Sequence, residues 1–480
     1  MAESKQTQKG LYDTLTAYSQ EDIVPMHMPG HKRNPAFSMK NPYQTDVTEV
    51  EGMDDLHRPH GVIRDLMNRV TAMYGSEQSY LLVNGSTGGI LAAIAACCRH
   101  GDRILMARNC HTSVYHAVRL LELRPVYLYP SREGGSWRLG IAGMITAEAV
   151  GRALTKYADI CCVILTSPTY EGVVSPIAEI AEAVHHYGIP LIVDEAHGAH
   201  FHWHSSFPRT ALTEGADLVV ESLHKTLPAL TQTGVLHARF ERVSKELLEF
   251  ALRTFQSSSP SYLLMAGIDR CFAYIEKEGA DAFEKYKRHL EAFRRQMSER
   301  KHLYLFESPQ KEPSKLVIAT DRTPFSGREL ADCLREKHRI ETEMSCGDYC
   351  IAMTSVCDTA QHFERLEMAL RQIDDGVDSL AESKRNRHGA RDSFSLYQWE
   401  APERRMYSYE AAYGAQRRIR LDEAEGCVAA EDIYLYPPGI PVLVQGEIFS
   451  GEIIRRIRAC REAGDAVRGV EDGCVKVIVL

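Results

Sequence analysis

One lysine enters an apolar, turn-rich stretch at residues 221–234, "ESLHKTLPALTQTG". Lys225 lies between His224 and Thr226, and no further charged residue follows it before Gly234. Desolvating an ammonium group is costly unless the group is paired or neutralised. Burial lowers the pKa of a lysine, and the neutral amine is a nucleophile that forms an imine with an aldehyde. The stretch therefore predicts a lysine that holds a carbonyl group covalently, and the alternative is an ordinary lysine at the mouth of a surface loop.

A carboxylate and an imidazole follow another apolar run, in "IPLIVDEAHGAHFHWH" (189–204). Asp194 lies at the tip of the run, where a buried carboxylate needs a cationic partner or several hydrogen-bond donors. His197 comes three residues later. The alternating His200, His202 and His204 would suit a metal, but no complementary ligands accompany them, and we predict no metal site here.

Two hydroxyl groups follow a third apolar run, in "SYLLVNGSTGG" (79–89). Ser86 and Thr87 lie where a strand is expected to turn into a helix, and free backbone N–H groups there can hold a phosphate. Helix capping by either side chain is the alternative. His111 follows "RILMA" (103–107), and Ser222 follows "DLVVE" (217–221). At one sheet edge these groups would meet the needs of pyridoxal 5'-phosphate: a phosphate cradle, an imidazole over the ring, a carboxylate at the ring nitrogen and a lysine for the aldehyde.

The elements that must position these residues are apolar runs that alternate with helix-like segments between residues 61 and 240. Several runs are apolar on both faces, which is typical of central parallel strands covered by helices. Repeated strand–helix units predict a mostly parallel, doubly wound α/β sheet, and such sheets bind ligands at the carboxyl ends of their strands. The predicted strands are 79–84, 103–107, 126–130, 161–166, 189–194 and 217–222.

The rest of the chain divides by changes in composition. Residues 1–60 are polar and are interrupted by "MPGHKRNP", so we expect an N-terminal arm. A large cofactor-binding domain is expected at 61–300, ending in a long helix at 263–300. A C-terminal α/β region is expected at 301–480, with a possible subdivision at the polar segment 382–395.

The composition excludes several classes of protein. The 480 residues carry a net charge of -9 without a basic block, so a nucleic-acid partner is not expected. No apolar run is long enough to span a bilayer, and the polar first residues do not resemble a signal peptide. The 13 cysteines, among them Cys97, Cys98, Cys161 and Cys162 in apolar runs, are predicted to be reduced thiols of a cytoplasmic protein.

The sequence resembles the bacterial ornithine/lysine/arginine decarboxylase family over nearly its whole length. The resemblance implies the aspartate-aminotransferase-like fold (fold type I), with a mostly parallel sheet, helices on both faces and a smaller C-terminal α/β domain. The chain is similar to the short members without an N-terminal wing domain, for which large stacked assemblies are not expected. The motifs that carry the resemblance are "MHMPGHKRN" (26–34), "VEGMDDLHRPHGVI" (50–63), "NGSTGG" (84–89), "RNCHTSV" (108–114), "SPTYEGVV" (167–174), "VDEAHGAHFHWH" (193–204), "ESLHKTLPALTQTG" (221–234), "SSSPSYLLMAGID" (257–269) and "YPPGIPVLVQGE" (436–447).

This resemblance implies a role for each candidate residue. Lys225 would carry pyridoxal 5'-phosphate as an imine, Asp194 would keep the pyridine nitrogen protonated, and His111 would stack on the ring. Either Lys225 or His224 would return a proton to Cα after carbon dioxide leaves. The residues around the cofactor would be Ser86, Thr87, His111, Asp194, His197, Ser222, His224 and Lys225, with Ser257 and Ser258 reaching the phosphate of a neighbouring subunit in a homodimer.

The substrate implied by the resemblance is arginine, lysine or ornithine, which would yield the corresponding amine and carbon dioxide. A cationic side chain needs carboxylates, which "DVTEVEGMDDLH" (46–57) and "IETEMS" (340–345) could supply. We favour Glu343, because the C-terminal segment covers the site in this fold type. An aminotransferase is the first alternative, but it normally has an arginine for the substrate α-carboxylate, and no clear motif for one is present. A non-catalytic binding protein is the second alternative, and it would be expected to have lost Lys225 or Asp194.

Overall fold

The computed structural model describes residues 10–39, 41–131, 139–379, 401–435, 439–462 and 466–479. The strands, numbered in chain order, are β1 (Val24–Met26), β2 (Gln78–Leu82), β3 (Arg103–Ala107), β4 (Arg124–Leu128), β5 (Ile160–Thr166), β6 (Leu191–Asp194), β7 (Leu218–Glu221), β8 (Gly234–Ala238), β9 (Tyr304–Leu305), β10 (Lys315–Ala319), β11 (Ile340–Thr342), β12 (Met344–Cys346), β13 (Tyr349–Met353), β14 (Gln416–Arg420), β15 (Ile433–Leu435), β16 (Ile440–Leu443), β17 (Val467–Arg468) and β18 (Cys474–Ile478). The α-helices are α1 (Leu11–Ser19), α2 (Val62–Tyr74), α3 (Gly85–Cys97), α4 (Thr112–Leu120), α5 (Ala147–Lys156), α6 (Ile177–His185), α7 (Leu223–Thr226), α8 (Lys245–Phe255), α9 (Tyr262–Ser298), α10 (Gly327–His338), α11 (Ala360–Val377), α12 (Ser408–Tyr413) and α13 (Gly451–Glu462).

A seven-stranded sheet in the order β2–β8–β7–β6–β5–β3–β4 forms the centre of the large domain. The pairs from β7 to β4 are parallel, whereas β8 runs antiparallel to both β7 and β2. The inner strands are apolar on both faces because helices cover both, and Leu191, Ile192 and Val193 of β6 are fully buried. Each predicted strand lies within two residues of an observed strand at both ends. The predicted α/β fold is therefore confirmed.

The covering helices form where apolar residues recur at helical spacing and polar side chains satisfy the first N–H groups. Helix α6 buries Ile177, Ile180, Ala181 and Val184 along one stripe, as the amphipathic segment predicted. At the start of α5, the Thr146 side chain accepts a hydrogen bond from a backbone N–H group. Helix α9 covers 37 residues, so the predicted long helix is also present.

A second, antiparallel sheet follows α9, in the order β12–β13–β10–β9. Helix α10 packs on β12 and β13, and α11 packs on α9 and α10. Strand β1 pairs in parallel with β11, through Val24 and Ile340. Residues 24–26 are therefore attached to this C-terminal region. The proposed domain boundaries at residues 60 and 300 stay predictions, and the predicted subdivision at 382–395 lies outside the described residues.

The C-terminal segment, described here at 401–435, 439–462 and 466–479, has an apolar cluster of its own, built from β14–β18 and from α13. A buried ion pair joins this segment to the large domain, because Arg108 Nη2 lies 3.1 Å from Glu447 Oε2. Arg108 Nη1 also donates to the Tyr115 hydroxyl at 2.9 Å and to the Pro441 carbonyl at 3.0 Å. These contacts bring β16 to the carboxyl edge of the central sheet. Among the described residues, no helix combines the length and apolar character needed to cross a membrane.

Candidate active site

One cleft lies at the carboxyl ends of the central strands, as the parallel topology predicts. Strands β2, β3, β5, β6 and β7 all end at this cleft. Three further segments reach it from outside the sheet, one at Met28, one around Glu343 and one at Ile440. The cleft is lined by Met28, Gly85, Ser86, Thr87, Asn109, His111, Thr166, Thr169, Tyr170, Asp194, Ala196, His197, Ser222, His224, Lys225, Glu343 and Ile440.

Lys225 lies in the short helix α7, directly beyond the end of β7. Its Nζ is 2.9 Å from His197 Nε2. Burial lowers the pKa of Lys225, while the carboxylates of Asp194 and Glu343 act in the opposite direction. A larger share of neutral amine at a given pH makes this lysine a better nucleophile than a solvated one.

Asp194 ends β6 and is 3% exposed. Its Oδ1 accepts a hydrogen bond from the backbone N–H of Ala196 at 3.1 Å, and no other protein donor in the described part of the chain bonds to this carboxylate. Burial raises the pKa of Asp194, and the positive charge of Lys225 opposes that effect. A buried carboxylate with so few protein donors is suited to a cationic N–H group of a ligand, such as a protonated pyridine nitrogen.

Helix α3 begins at the cleft, and its N-terminus has the features of a phosphate cradle. The N-cap residue, Asn84, makes no side-chain capping bond, and the first turn contains no acidic residue. Gly85 has a φ of +69°, which favours glycine, and it places Ser86 and Thr87 in the first turn. Ser222 Oγ donates to Ser86 Oγ at 2.8 Å, so hydroxyl groups from α3 and from the end of β7 meet. Free N–H groups and hydroxyls at a helix N-terminus suit an anion such as phosphate.

Both histidines of the predicted catalytic set are neutral near neutral pH. Burial lowers the pKa of His111 to about 4, and it lowers the pKa of His224 to about 4 as well. His111 Nδ1 accepts a hydrogen bond from the backbone N–H of Ser113, which leaves the proton on Nε2. His224 Nδ1 lies 2.9 Å from the Thr233 carbonyl oxygen, which can only accept, so the proton of His224 is on Nδ1. An uncharged imidazole at His111 can pack on a planar ring without repelling a nearby cation.

Glu343 enters the cleft from the turn between β11 and β12. Its Oε1 accepts a hydrogen bond from the Tyr170 hydroxyl at 2.6 Å, and its Oε2 accepts one from the backbone N–H of Met28 at 2.8 Å. A carboxylate has about four lone-pair positions, so two remain for a cationic ligand. Other acidic residues of the two candidate segments bond elsewhere: Asp54 accepts from backbone N–H groups at the start of α2, and Glu341 pairs with Arg335.

Ser257 and Ser258 lie outside this cleft and are exposed, directly after α8. The backbone carbonyl of Ser257 accepts a hydrogen bond from His57 Nε2 at 2.7 Å. The part assigned to these two serines concerns a neighbouring subunit and stays a prediction. The histidines after β6 diverge, because His200 faces Glu312, His202 stacks on Tyr74 and His204 faces Glu284.

Sequence reasoning missed several residues of the cleft. Within the described ranges, Asn109 and Thr166 each have a buried side-chain oxygen without a hydrogen-bond partner, which marks them as candidates for ligand contacts. Both follow apolar strand runs, and that position was the available signal. Tyr170 lies four residues after β5, as His111 does after β3, so the same signal was available for it. Ile440 reaches the cleft through long-range packing, so no local pattern could have identified it.

Lys32 is a second buried lysine, but its surroundings differ from those of Lys225. Its Nζ donates to the carbonyl oxygens of Pro25, His27 and Met353 at 3.0, 2.7 and 2.8 Å. Asp358 lies 3.8 Å away. With every N–H already donated, Lys32 holds the "MPGHK" loop in place and is not available as a nucleophile.

The chain matches the family model described as Orn/Lys/Arg decarboxylase, major domain, over residues 9–323. It also matches the model described as Orn/Lys/Arg decarboxylase, C-terminal domain, over residues 397–474. An arginine decarboxylase of Bacillus subtilis (strain 168) is 30% identical over 98% of this chain and 96% of that protein. An arginine decarboxylase of Halalkalibacterium halodurans is 30% identical over 99% of this chain and 98% of that protein.

Solved structures of lysine decarboxylases share the fold at lower sequence identity. The enzyme of Francisella novicida superimposes with a TM-score of 0.77 at 20% identity, covering 97% of this chain and 80% of that one. The constitutive enzyme of Escherichia coli gives a TM-score of 0.76 at 19% identity, covering 98% of this chain and 81% of that one.

Proposed function

Because this chain belongs to the Orn/Lys/Arg decarboxylase family, we propose that it removes the α-carboxylate of a basic L-amino acid as carbon dioxide, with pyridoxal 5'-phosphate as its cofactor. The observation that carries the proposal is the convergence of Lys225, Asp194 and the uncapped start of α3 on one cleft. A nucleophilic amine, a carboxylate that lacks protein donors and an anion cradle are the three groups this cofactor requires from a protein.

Each part of the cofactor has a matching group in the cleft. Lys225 Nζ would hold the aldehyde carbon, and Asp194 would accept a hydrogen bond from the pyridine nitrogen. Ser86, Thr87 and Ser222 would hold the phosphate, and His111 would pack on the ring. When bound, the cofactor supplies an electron-withdrawing ring system that accepts the electron pair left behind by the departing carboxylate.

The protein's own residues orient the substrate and move protons. His197 Nε2 lies 2.9 Å from Lys225 Nζ, and this contact would orient the amine in the cleft. Of the two candidates for protonating Cα, we favour Lys225, because neutral His224 has its proton bound to the Thr233 carbonyl. Tyr170 and Ile440 also line the cleft.

Glu343 is the proposed contact for the distal cation of the substrate. Its two unused acceptor positions match the two N–H groups that a planar guanidinium presents, whereas an ammonium needs a single contact. The arginine decarboxylases of Bacillus subtilis and Halalkalibacterium halodurans align over 98% and 99% of this chain. These observations favour arginine over lysine and ornithine.

The reaction is tested with carboxyl-labelled amino acids and the purified holoenzyme. We expect release of carbon dioxide with a matching amount of amine from arginine, and smaller amounts from lysine and ornithine. Formation of a keto acid without carbon dioxide would identify an aminotransferase instead. Turnover of leucine or glutamate as fast as arginine would contradict the basic-substrate proposal.

Borohydride reduction followed by peptide mapping tests the site itself. We expect the cofactor label on Lys225, with Lys32 unlabelled because all of its donors are used. A label on Lys32 or on any other lysine would show that the assignment is wrong.

We also propose a homodimer in which Ser257 or Ser258 of one subunit contacts the phosphate bound by the other. Exposure of both serines outside the cleft supports this arrangement. Co-expression of Lys225→Ala with a Ser257→Ala/Ser258→Ala chain should give mixed dimers with one intact site. Activity no greater than the sum of the two variants alone would contradict the shared site.

All 13 cysteines are free thiols, which supports a reducing, cytoplasmic environment.

A further inference from the structure

Three thiols converge at the edge of the central sheet opposite the cleft. Cys98 Sγ, at the C-terminal end of α3, lies 3.1 Å from Cys161 Sγ and 3.4 Å from Cys162 Sγ. All three sulfurs lie within 4.8 Å of one another. Among the described residues this is the one group of His, Cys, Asp or Glu side chains whose ligand atoms are close enough to share a metal ion.

The backbone at Cys161 is built in a way that brings the two neighbouring thiols together. Successive side chains of a strand normally point to opposite faces of the sheet, so Cys161 and Cys162 should diverge. Here Arg103 of β3 pairs with Ile160, and the next residue, Ile104, pairs with Cys162. Cys161 is therefore the extra residue of a β-bulge, a feature that is rare in parallel pairs and that redirects side chains. The bulge explains how both sulfurs reach Cys98.

The site is well separated from the catalytic cleft. Cys161 is at the second position of β5, whereas Thr166 at the last position of the strand lines the cleft. At about 3.3 Å per residue the two positions are about 17 Å apart. Helix α3 connects the two places, because it begins at the proposed phosphate cradle and ends beside Cys98.

We propose that Cys98, Cys161 and Cys162 form a binding site for a single Zn²⁺ ion. Soft thiolate ligands select Zn²⁺ or Cu⁺ among the common cations. Three thiolates leave a net charge of -1 around Zn²⁺ and -2 around Cu⁺, and the smaller net charge is less costly where two of the three cysteines are buried. Binding converts three thiols into thiolates and releases three protons.

The geometry requires only a small adjustment. Zn–S bonds of about 2.3 Å place tetrahedral sulfur ligands about 3.8 Å apart, so Cys98 Sγ would move away from Cys161 Sγ and from Cys162 Sγ by less than about 1 Å. Because Cys161 is half-buried, a water molecule from solvent would take the fourth coordination position and complete the tetrahedron. The ion would join the end of α3 to the start of β5 and thereby stabilise the helix that carries the phosphate cradle.

Metal analysis of the holoenzyme tests the proposal. The protein is reduced, treated with a chelator, incubated with zinc chloride and desalted before zinc is quantified. We expect one zinc ion per chain, and at least about tenfold weaker retention in Cys98→Ser and Cys161→Ser. Cys333→Ser is the matched control, because this half-buried thiol lies on α10 and should leave retention unchanged.

A spectroscopic measurement keeps the test decisive if a variant folds poorly. Cobalt(II) bound to the unmodified holoenzyme should give the strong visible bands of a tetrahedral thiolate site at wavelengths beyond the absorption of the cofactor, and zinc should abolish them. Four results would overturn the proposal: no retained zinc, retention in the Cys98→Ser and Cys161→Ser variants equal to that of the unmodified protein, retention of Cu⁺ but not Zn²⁺, or a disulfide between Cys98 and Cys161 in the freshly isolated protein.

Discussion

Replacing Asp194 by asparagine tests the electrostatic basis of the proposed site. The change is nearly isosteric, and the amide oxygen of asparagine can still accept the hydrogen bond from the backbone N–H of Ala196. The perturbation is therefore the loss of one negative charge at a position that is 3% exposed. A neutral amide cannot hold a proton on the pyridine nitrogen, so the ring would withdraw electrons less strongly.

The expected loss of turnover follows from the burial of this carboxylate. Removing one partner of a buried charge pair costs about 3–5 kcal/mol, and the lower end applies here because the cleft is open to solvent. A barrier higher by about 3 kcal/mol lowers kcat about 10²-fold. Asp194 is also the leading group that raises the pKa of Lys225, so the pKa of this lysine should fall further in the variant.

The assay compares kcat for carbon dioxide release with cofactor content, measured by absorbance on the same sample. We expect Asp194→Asn to retain cofactor at saturating concentrations while kcat falls about 10²-fold. Asp217→Asn is the matched control. That carboxylate is 1% exposed and precedes β7 at the opposite sheet edge, where it accepts hydrogen bonds from the backbone N–H of Leu191 and from His185. The control should lose stability but keep its kcat per folded chain. A kcat for Asp194→Asn within about threefold of the unmodified enzyme, with the site saturated, would show that Asp194 does not act on the ring nitrogen.

Three further predictions follow from the cleft and from its junction with the C-terminal segment. Glu343→Gln should raise KM for arginine about 10-fold or more through the loss of a charge-assisted contact, with cofactor absorbance unchanged. Tyr170→Phe removes one neutral donor to Glu343 and should raise KM less. Equal increases of KM in the two variants would contradict the proposal that the charge of Glu343 binds the substrate. Arg108→Met should lower the free energy of unfolding by about 3–5 kcal/mol near neutral pH, because it leaves Glu447 buried without its cation. Denaturant titration measures this loss. A loss below about 1 kcal/mol would contradict a stabilising role of the buried Arg108–Glu447 pair. Burial already raises the pKa of Glu447, and Arg108 opposes this rise, so the pKa of Glu447 should increase further in Arg108→Met. The loss of stability in this variant should therefore shrink as the pH falls toward the unfolded pKa of about 4.3, because the carboxyl group becomes protonated. A loss of stability that does not depend on pH would be inconsistent with this origin.

Local sequence patterns were sufficient for six of the seven strands of the central sheet and for much of the site, whereas the antiparallel strand β8 was not predicted. Parallel strands covered on both faces must be apolar throughout, so strands such as β3 and β6 could be recognised without any knowledge of their neighbours. Chemistry-bearing residues directly after those strands, including Asp194 and Lys225, then had to meet at one edge, because parallel strands share the direction of their carboxyl ends.

Contacts between distant segments were decided only by the tertiary structure. Ile440 reaches the cleft because the buried pair of Arg108 and Glu447 holds the C-terminal segment against the large domain, and no periodicity in the sequence encodes a pairing across more than 300 residues. The approach of Cys161 to Cys98 likewise depends on a bulge in β5. Residue spacing alone assigns Cys161 and Cys162 to opposite faces of the sheet, because the side chains of a regular strand alternate. The sequence therefore determined which groups gather where strands end, whereas packing between segments decided which other side chains join them.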